Sequence, residues 1–180
     1  MISQAFDTPT RRANPLLVGF LILLGLALVA VLVGVGWTVI HRWTATPPTR
    51  PAGTTVTDGD LAFRVAYVDT TAISQGVAGE RAPTGKFVNV RVSVTNRVGR
   101  PQHVDPADQF LRAGGKRYAV DHDATVNAGD TAALSLPGRP GAAGSLILVF
   151  DVPKRATSAA IEVHATASSG GARVTLPAFG

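Results

Sequence analysis

An unbroken apolar run from Leu16 to Ile40, whose only polar side chain is Thr38, constrains this chain more than any other feature. The run carries no charge and lacks the two-residue or 3.6-residue alternation of an element with one wet face. As a helix it would be about 37 Å long, against about 30 Å of bilayer hydrocarbon. Asn14-Pro15 just before it is a helix-start signature, an N-cap side chain followed by proline at the first helical position. Trp37 and Trp43 stand at the far end, where indoles favour the headgroup layer. Cleavage as a signal peptide is disfavoured, because the run is about twice the usual apolar length. The stretch His41-Arg42-Trp43-Thr44-Ala45 also lacks the small residue expected three before a cleavage site. Arg11-Arg12 is followed by Ala13-Asn14-Pro15, not by the apolar pair of a twin-arginine signal. The expectation is a single uncleaved transmembrane helix over residues 16–40, preceded by a cytoplasmic tail over 1–15. Ala30 and Gly34 lie four apart within it, a spacing that lets two helices approach, so the span offers a route to a homodimer.

Charge bears on orientation and on partners. The pI is near 10.4, but most of the excess lies outside the carboxyl-terminal part. Residues 1–57 hold four Arg and one Asp, whereas residues 58–180 hold 13 Lys+Arg and 11 Asp+Glu. Basic residues flanking a span meet anionic headgroups. A nucleic-acid surface would need a clustered basic stripe, so no nucleic-acid partner is expected. Arg11, Arg12 and the free amino terminus outweigh Arg42 and Arg50 slightly, placing the amino terminus inside and the following domain outside. The absence of cysteine excludes disulfides, a thiol nucleophile and a lipidated cysteine anchor.

Residues 41–57 are rich in Thr and Pro without apolar period, and read as a semi-rigid spacer. From Asp58 the pattern turns to period two. Leu61, Phe63, Val65 and Tyr67 alternate with Ala62, Arg64 and Ala66, and Val88, Val90, Val92 and Val94 alternate with polar residues up to Asn96. Gly114-Gly115 between residues 109–113 and 116–120 is a hairpin signal. Further strands are expected over 131–136, 145–152, 158–165 and 173–176, with 145–152 central and buried on both faces. No stretch beyond Asp58 reads as a helix. Seven or eight short strands with regular turns predict an all-β fold over residues 58–180, an immunoglobulin-like antiparallel β-sandwich.

The run Gly85-Lys86-Phe87-Val88-Asn89-Val90, then Asn96, Pro101, Phe110-Leu111, Gly115, Tyr118 and Leu148-Val149-Phe150-Asp151-Val152-Pro153, occur in that order. In them the chain resembles the extracellular immunoglobulin-like domain of many Gram-positive surface lipoproteins and anchored proteins. The immunoprotective extracellular antigen of mycobacteria is similar. The resemblance covers roughly residues 58–165. It implies a structural rather than chemical relationship, a position outside the membrane, and no assigned activity.

Sharper chemistry finds little support. Asp121-His122-Asp123, with Asn127 and Asp130, offers oxygen ligands, but a calcium loop wants glycine sixth and Glu twelfth, where Val126 and Ala132 stand. These residues read as a solvated turn. His103, His122 and His164 lack metal-site spacing, and His164 reads as a strand-edge residue. Ser145 follows Gly144 but opens a strand, unlike the nucleophile of a Gly-x-Ser-x-Gly turn. Asn96 reads as the closure of a turn after a buried strand. No catalytic residue, cofactor or metal ligand is expected. The loops at 75–84 and 138–144 are the expected recognition sites. The expected function is a membrane-anchored extracytoplasmic binding module of the cell envelope that engages a protein or an envelope component. The alternative is an accessory or structural membrane-protein subunit that pairs through its span.

Overall fold

The computed structural model describes residues 24, 27, 29–31, 47–129 and 133–179. Two compact units divide the chain, Met1–Ala45 and Thr46–Gly180. In the first unit Leu24, Ala27, Val29, Ala30 and Val31 are helical and exposed. The rest of the span expected over residues 16–40, Gly34 included, lies outside the described residues. Among the described residues no helix is long and apolar enough to cross a membrane.

The second unit is built from eleven strands among its described residues: β1 (Thr49–Arg50), β2 (Val56–Asp58), β3 (Leu61–Thr71), β4 (Lys86–Asn96), β5 (Gln102–Val104), β6 (Phe110–Ala113), β7 (Lys116–Ala119), β8 (Leu134–Leu136), β9 (Ala143–Val152), β10 (Ala160–Val163) and β11 (Ala172–Thr175). One sheet runs β1-β11-β10-β6-β7, another β2-β3-β4-β9, and β5 pairs with β8. The apolar faces of the two large sheets form one core. Val88, Val90, Val92 and Val94 of β4 and Leu146, Leu148, Phe150 and Val152 of β9 join Leu111, Ile161, Val163 and Val174 of the five-stranded sheet. Alternation in β4 places Val92 in this core and Arg91 on the outer face in solvent.

Several expectations change. The strand count exceeds seven or eight because short segments pair at the edges. One lies within the expected spacer 41–57 and one overlaps its end: β1 pairs with β11, and β2 pairs with β3 and buries Val56. Extended Thr/Pro-rich backbone is already close to strand geometry, so little ordering is needed to add it to an edge. The β1–β11 pair is parallel, so the sandwich is not wholly antiparallel. In β3 a register shift falls between Val65 and Tyr67. It inserts one residue and exchanges the faces, so Val68 packs on the core and Tyr67, expected inside, is exposed.

Strand β9 was expected at the centre of a sheet, yet it is the edge of the four-stranded one. It is nevertheless buried on both faces along its second half. A six-residue helix, His122–Asn127, covers its outer face, where Phe87, Ala124 and Val149 form a second small core. The same segment caps the strand edge: Asp121 N–H donates to the Val149 carbonyl at 2.7 Å, and Val149 N–H donates to Thr125 Oγ1 at 3.1 Å. An edge covered in this way offers no template for pairing with another chain. The helix was not expected, because six residues are too few to display a period. A single 3₁₀ turn, Pro106–Asp108, is capped by the Asp105 side chain.

Candidate functional site

The outer face of the five-stranded sheet carries the densest polar arrangement in the described structure. In antiparallel register, Arg173 of β11, Glu162 of β10, Phe110 of β6 and Ala119 of β7 lie side by side. The next row outward sets Thr175, Ala160, Arg112 and Arg117 abreast. Period two therefore brings three arginines from three strands around one glutamate.

Arg112 Nε donates to Glu162 Oε2 at 2.6 Å and Arg173 Nε to the same oxygen at 2.8 Å. Arg117 Nη2 lies 2.8 Å from Oε1, and His164 Nε2 lies 3.1 Å from that oxygen. Glu162 is buried, with a side chain only 6% exposed, whereas Arg112 and Arg117 keep 35% and 42% of theirs in solvent. Burial pushes the Glu162 carboxyl up, but the bonds from Arg112, His164 and Arg173 and the charge of Arg117 outweigh it, and its pKa falls to about 2. The carboxylate is thus ionised at any physiological pH. Three guanidiniums against one carboxylate leave two positive charges on this face.

Surrounding contacts hold the arrangement stiffly. The Arg117 guanidinium lies 3.3 Å from the Phe110 ring centroid, a cation–π stack that fixes its plane. The His164 ring meets Phe110 edge-on at 6.0 Å and lies 3.2 Å, through Nδ1, from the Ser169 carbonyl. Behind them Gln109 bridges strands: its Nε2 donates to the carbonyls of Asp105 and His164, and its Oε1 accepts from His164 N–H. Asp58 accepts from the N–H groups of Ala165 and Gly171, tying the loop after β10 to β2.

The residues singled out from sequence fare differently. His164, expected at an edge, follows a central strand and is buried inside the cluster. Glu162 stands on the polar phase of its strand between Ile161 and Val163, and its burial by three arginines has no local signal. The available signal was long-range: Arg112, Arg117 and Arg173 all occupy the polar phase of their strands, beside Leu111, Tyr118 and Val174. Asp121 does not lie in an open turn. It caps the short helix, accepting from Ala124 N–H at 3.1 Å, and both its oxygens accept from Arg81 Nε at 2.8 and 2.9 Å. Burial pushes the Asp121 carboxyl up, yet the Arg81 bond and the Ala124 N–H hold it below the usual carboxylate range. His122 and Asp123 follow in that helix, and Asp130 lies outside the described residues. His103 Nδ1 is 3.3 Å from Ser135 Oγ, far in sequence from the other histidines. Ser145 is exposed and lies opposite Ser93. Among the described residues no group of three acidic or histidine side chains converges as a metal ion requires.

Asn96 is fully buried and closes its turn as expected: Nδ2 donates to the carbonyls of Arg100 and Pro137, and Oδ1 accepts from Val98 N–H. The two loops expected to recognise ligands are braced. Asn127 holds the first through Ala78 N–H and the Gly79 carbonyl, and Gly141 N–H of the second donates to the Asn96 carbonyl.

The family described as Domain of unknown function (DUF4352) matches residues 51–174. The chain belongs to this family. The DUF4352 domain superposes on the YjhA protein of Bacillus subtilis with a TM-score of 0.53 and 12% identity, covering 73% of this chain and 100% of that one. A secreted protein of Mycobacterium tuberculosis, MPT63, gives 0.50 at 14% identity, covering 73% of this chain and 98% of that one. A putative lipoprotein of B. subtilis, YcdA, gives 0.50 at 15% identity, covering 71% of this chain and 39% of that one. No curated protein matches the sequence. The resemblance read from Gly85–Val90 and Leu148–Pro153 holds, and its residues are structural. A Cβ on Gly85 would fall 1.8 Å from the Val152 carbonyl oxygen, and Asp151 accepts from the N–H groups of Thr84 and Gly85.

Proposed function

We propose that this chain is a membrane-anchored, extracytoplasmic binding module, an immunoglobulin-like DUF4352 domain held beside the bilayer by the helix over residues 16–40. The outer face of the five-stranded sheet is its binding surface, and no catalytic role is assigned. One observation carries the choice of surface: Arg112, Arg117 and Arg173 converge on the single carboxylate of Glu162 and leave a preorganised positive excess open to solvent. Anchoring is supported by the uncharged run Leu16–Ile40 and by the exposed apolar side chains of Leu24, Val29 and Val31, a pattern suited to lipid. The outside position is supported by the amino-terminal arginine pair and by the secreted and lipoprotein neighbours of the fold.

Carboxyl-terminal reporter fusions test the anchoring. An active alkaline-phosphatase-type reporter with a silent cytoplasm-only reporter is expected, and the reverse pattern would overturn the topology. Capture of partners from the cell envelope by full-length protein should weaken on Arg112→Gln/Arg117→Gln. Capture that survives this change but is lost with the span would favour a subunit pairing through its helix.

A further inference from the structure

We infer that the arginine face docks on the phosphate groups of anionic phospholipid in the membrane that anchors the chain, with Glu162 as the brace that aims the guanidiniums. This rests on the reading of that face as the binding surface. Charge complementarity is the first support. Among the described residues Arg112, Arg117 and Arg173 ion-pair with Glu162 alone, so two of their three charges are uncompensated. Arg112 and Arg117 keep 35% and 42% of their side chains in solvent, so these two present the guanidinium surface, while Arg173 is largely buried. Planar paired donors suit phosphate oxygens, and a guanidinium fixed by stacking on Phe110 loses little freedom when it binds one.

Chain length supplies the second support. Residues 41–48 separate the expected span from β1, and fully extended they reach at most about 30 Å. At the end of that reach Thr49 is the register partner of Arg173, so the tether joins the sheet on the very row that holds the cluster. Once docked, the arginines would lie within the roughly 8–10 Å over which an anionic leaflet attracts basic residues. Arg42 on the tether and Arg50 of β1 add charge of the same sign.

The test uses the full chain, whose lack of cysteine permits single-site labelling. Ala119→Cys places a fluorophore on the arginine face, and Ser145→Cys places one on the outer face of the other sheet. Each is reconstituted in phosphatidylcholine vesicles with or without about 30% phosphatidylglycerol, and a headgroup quencher reports proximity. Quenching at position 119 is expected to rise several-fold with phosphatidylglycerol and to fall back in about 0.5 M salt, with position 145 unaffected. Adding Arg112→Gln/Arg117→Gln should abolish the rise. The salt titration of the unsubstituted face gives an answer even if that double variant misfolds. Equal quenching at position 119 in both lipids overturns the inference. If a soluble glycerol-phosphate polymer nevertheless binds through the same arginines, the face still binds phosphate and only the lipid assignment falls. If neither lipid nor polymer responds to the arginines, the binding-surface reading falls as well.

Discussion

Glu162 and His164, two residues apart on one side of β10, meet through Oε1 and Nε2 at 3.1 Å, on a carboxylate that also takes three arginines. A carboxylate so served is hard to protonate. Its pKa of about 2 lies below the ordinary 4.5, so the stability it contributes is complete above about pH 4.5 and is lost as pH falls from there through about 2. Melting temperatures of the parent and of Glu162→Gln should therefore differ most above pH 4.5 and converge toward pH 2. At neutral pH the substitution strands three guanidiniums together. Breaking a buried pair costs about 3–5 kcal/mol, and because Arg112 and Arg117 keep solvent the expected cost is nearer 2–3 kcal/mol, a fall of roughly 10 °C. Calorimetry across pH measures both, and a constant difference down to pH 2 would refute the assignment.

Gly85 is fixed by a close approach to backbone rather than by its own torsions. The carbonyl of Val152, which a Cβ would meet at 1.8 Å, cannot yield without disturbing the β4–β9 pairing. Gly85→Ala is expected to destabilise the domain by about 3 kcal/mol. Gly170→Ala, with nothing within 4 Å of the added carbon, should be neutral or stabilising by up to about 1 kcal/mol. Denaturant titrations of the two variants provide the comparison.

Strand β4 carries a register prediction. Val92→Asp would bury an unpaired charge in the core and cost several kcal/mol, enough to unfold a domain of about 5–15 kcal/mol stability. Arg91→Ala, on the wet face, should cost less than about 1 kcal/mol. Circular dichroism melts would reveal a folded Val92→Asp protein, which this packing does not allow.

Asp121 should be indifferent to divalent ions, since Arg81 and the helix N-terminus already occupy its oxygens. Millimolar calcium or a chelator is expected to move the melting temperature by less than about one degree. A saturable rise removed by Asp121→Asn/Asp123→Asn would identify a site there.

The strands with one apolar face were legible because their period is local: Val88 to Val94, the Gly114-Gly115 hairpin and the turn at Asn96 are all found where the residues place them. What depended on distant partners was not legible. The bulge in β3 moves Tyr67 outward without any change in composition, and β9 reads as central because a six-residue helix, not a strand, covers it. Short β1 and β2 looked like spacer, since their pairing depends on β11 and β3. The arginine cluster was hidden for the same reason. Each member obeys its own strand's alternation, and only the order β11-β10-β6-β7 assembles them.

The parallel pairing of Thr49–Arg50 with Arg173–Val174 also sets a timetable. Among the described strands, the first to leave the ribosome has as its partner the last to follow. Until β11 arrives, β10 lacks one neighbour, β1 has none, and Arg173 is missing from around Glu162. Local pairs such as β6–β7 can close early, whereas this edge waits for the whole chain, a loop-closure cost that slows formation of non-local sheets. The domain therefore completes its charged face and seats β1 in the same late event. A chain shortened before β11 would lose both together.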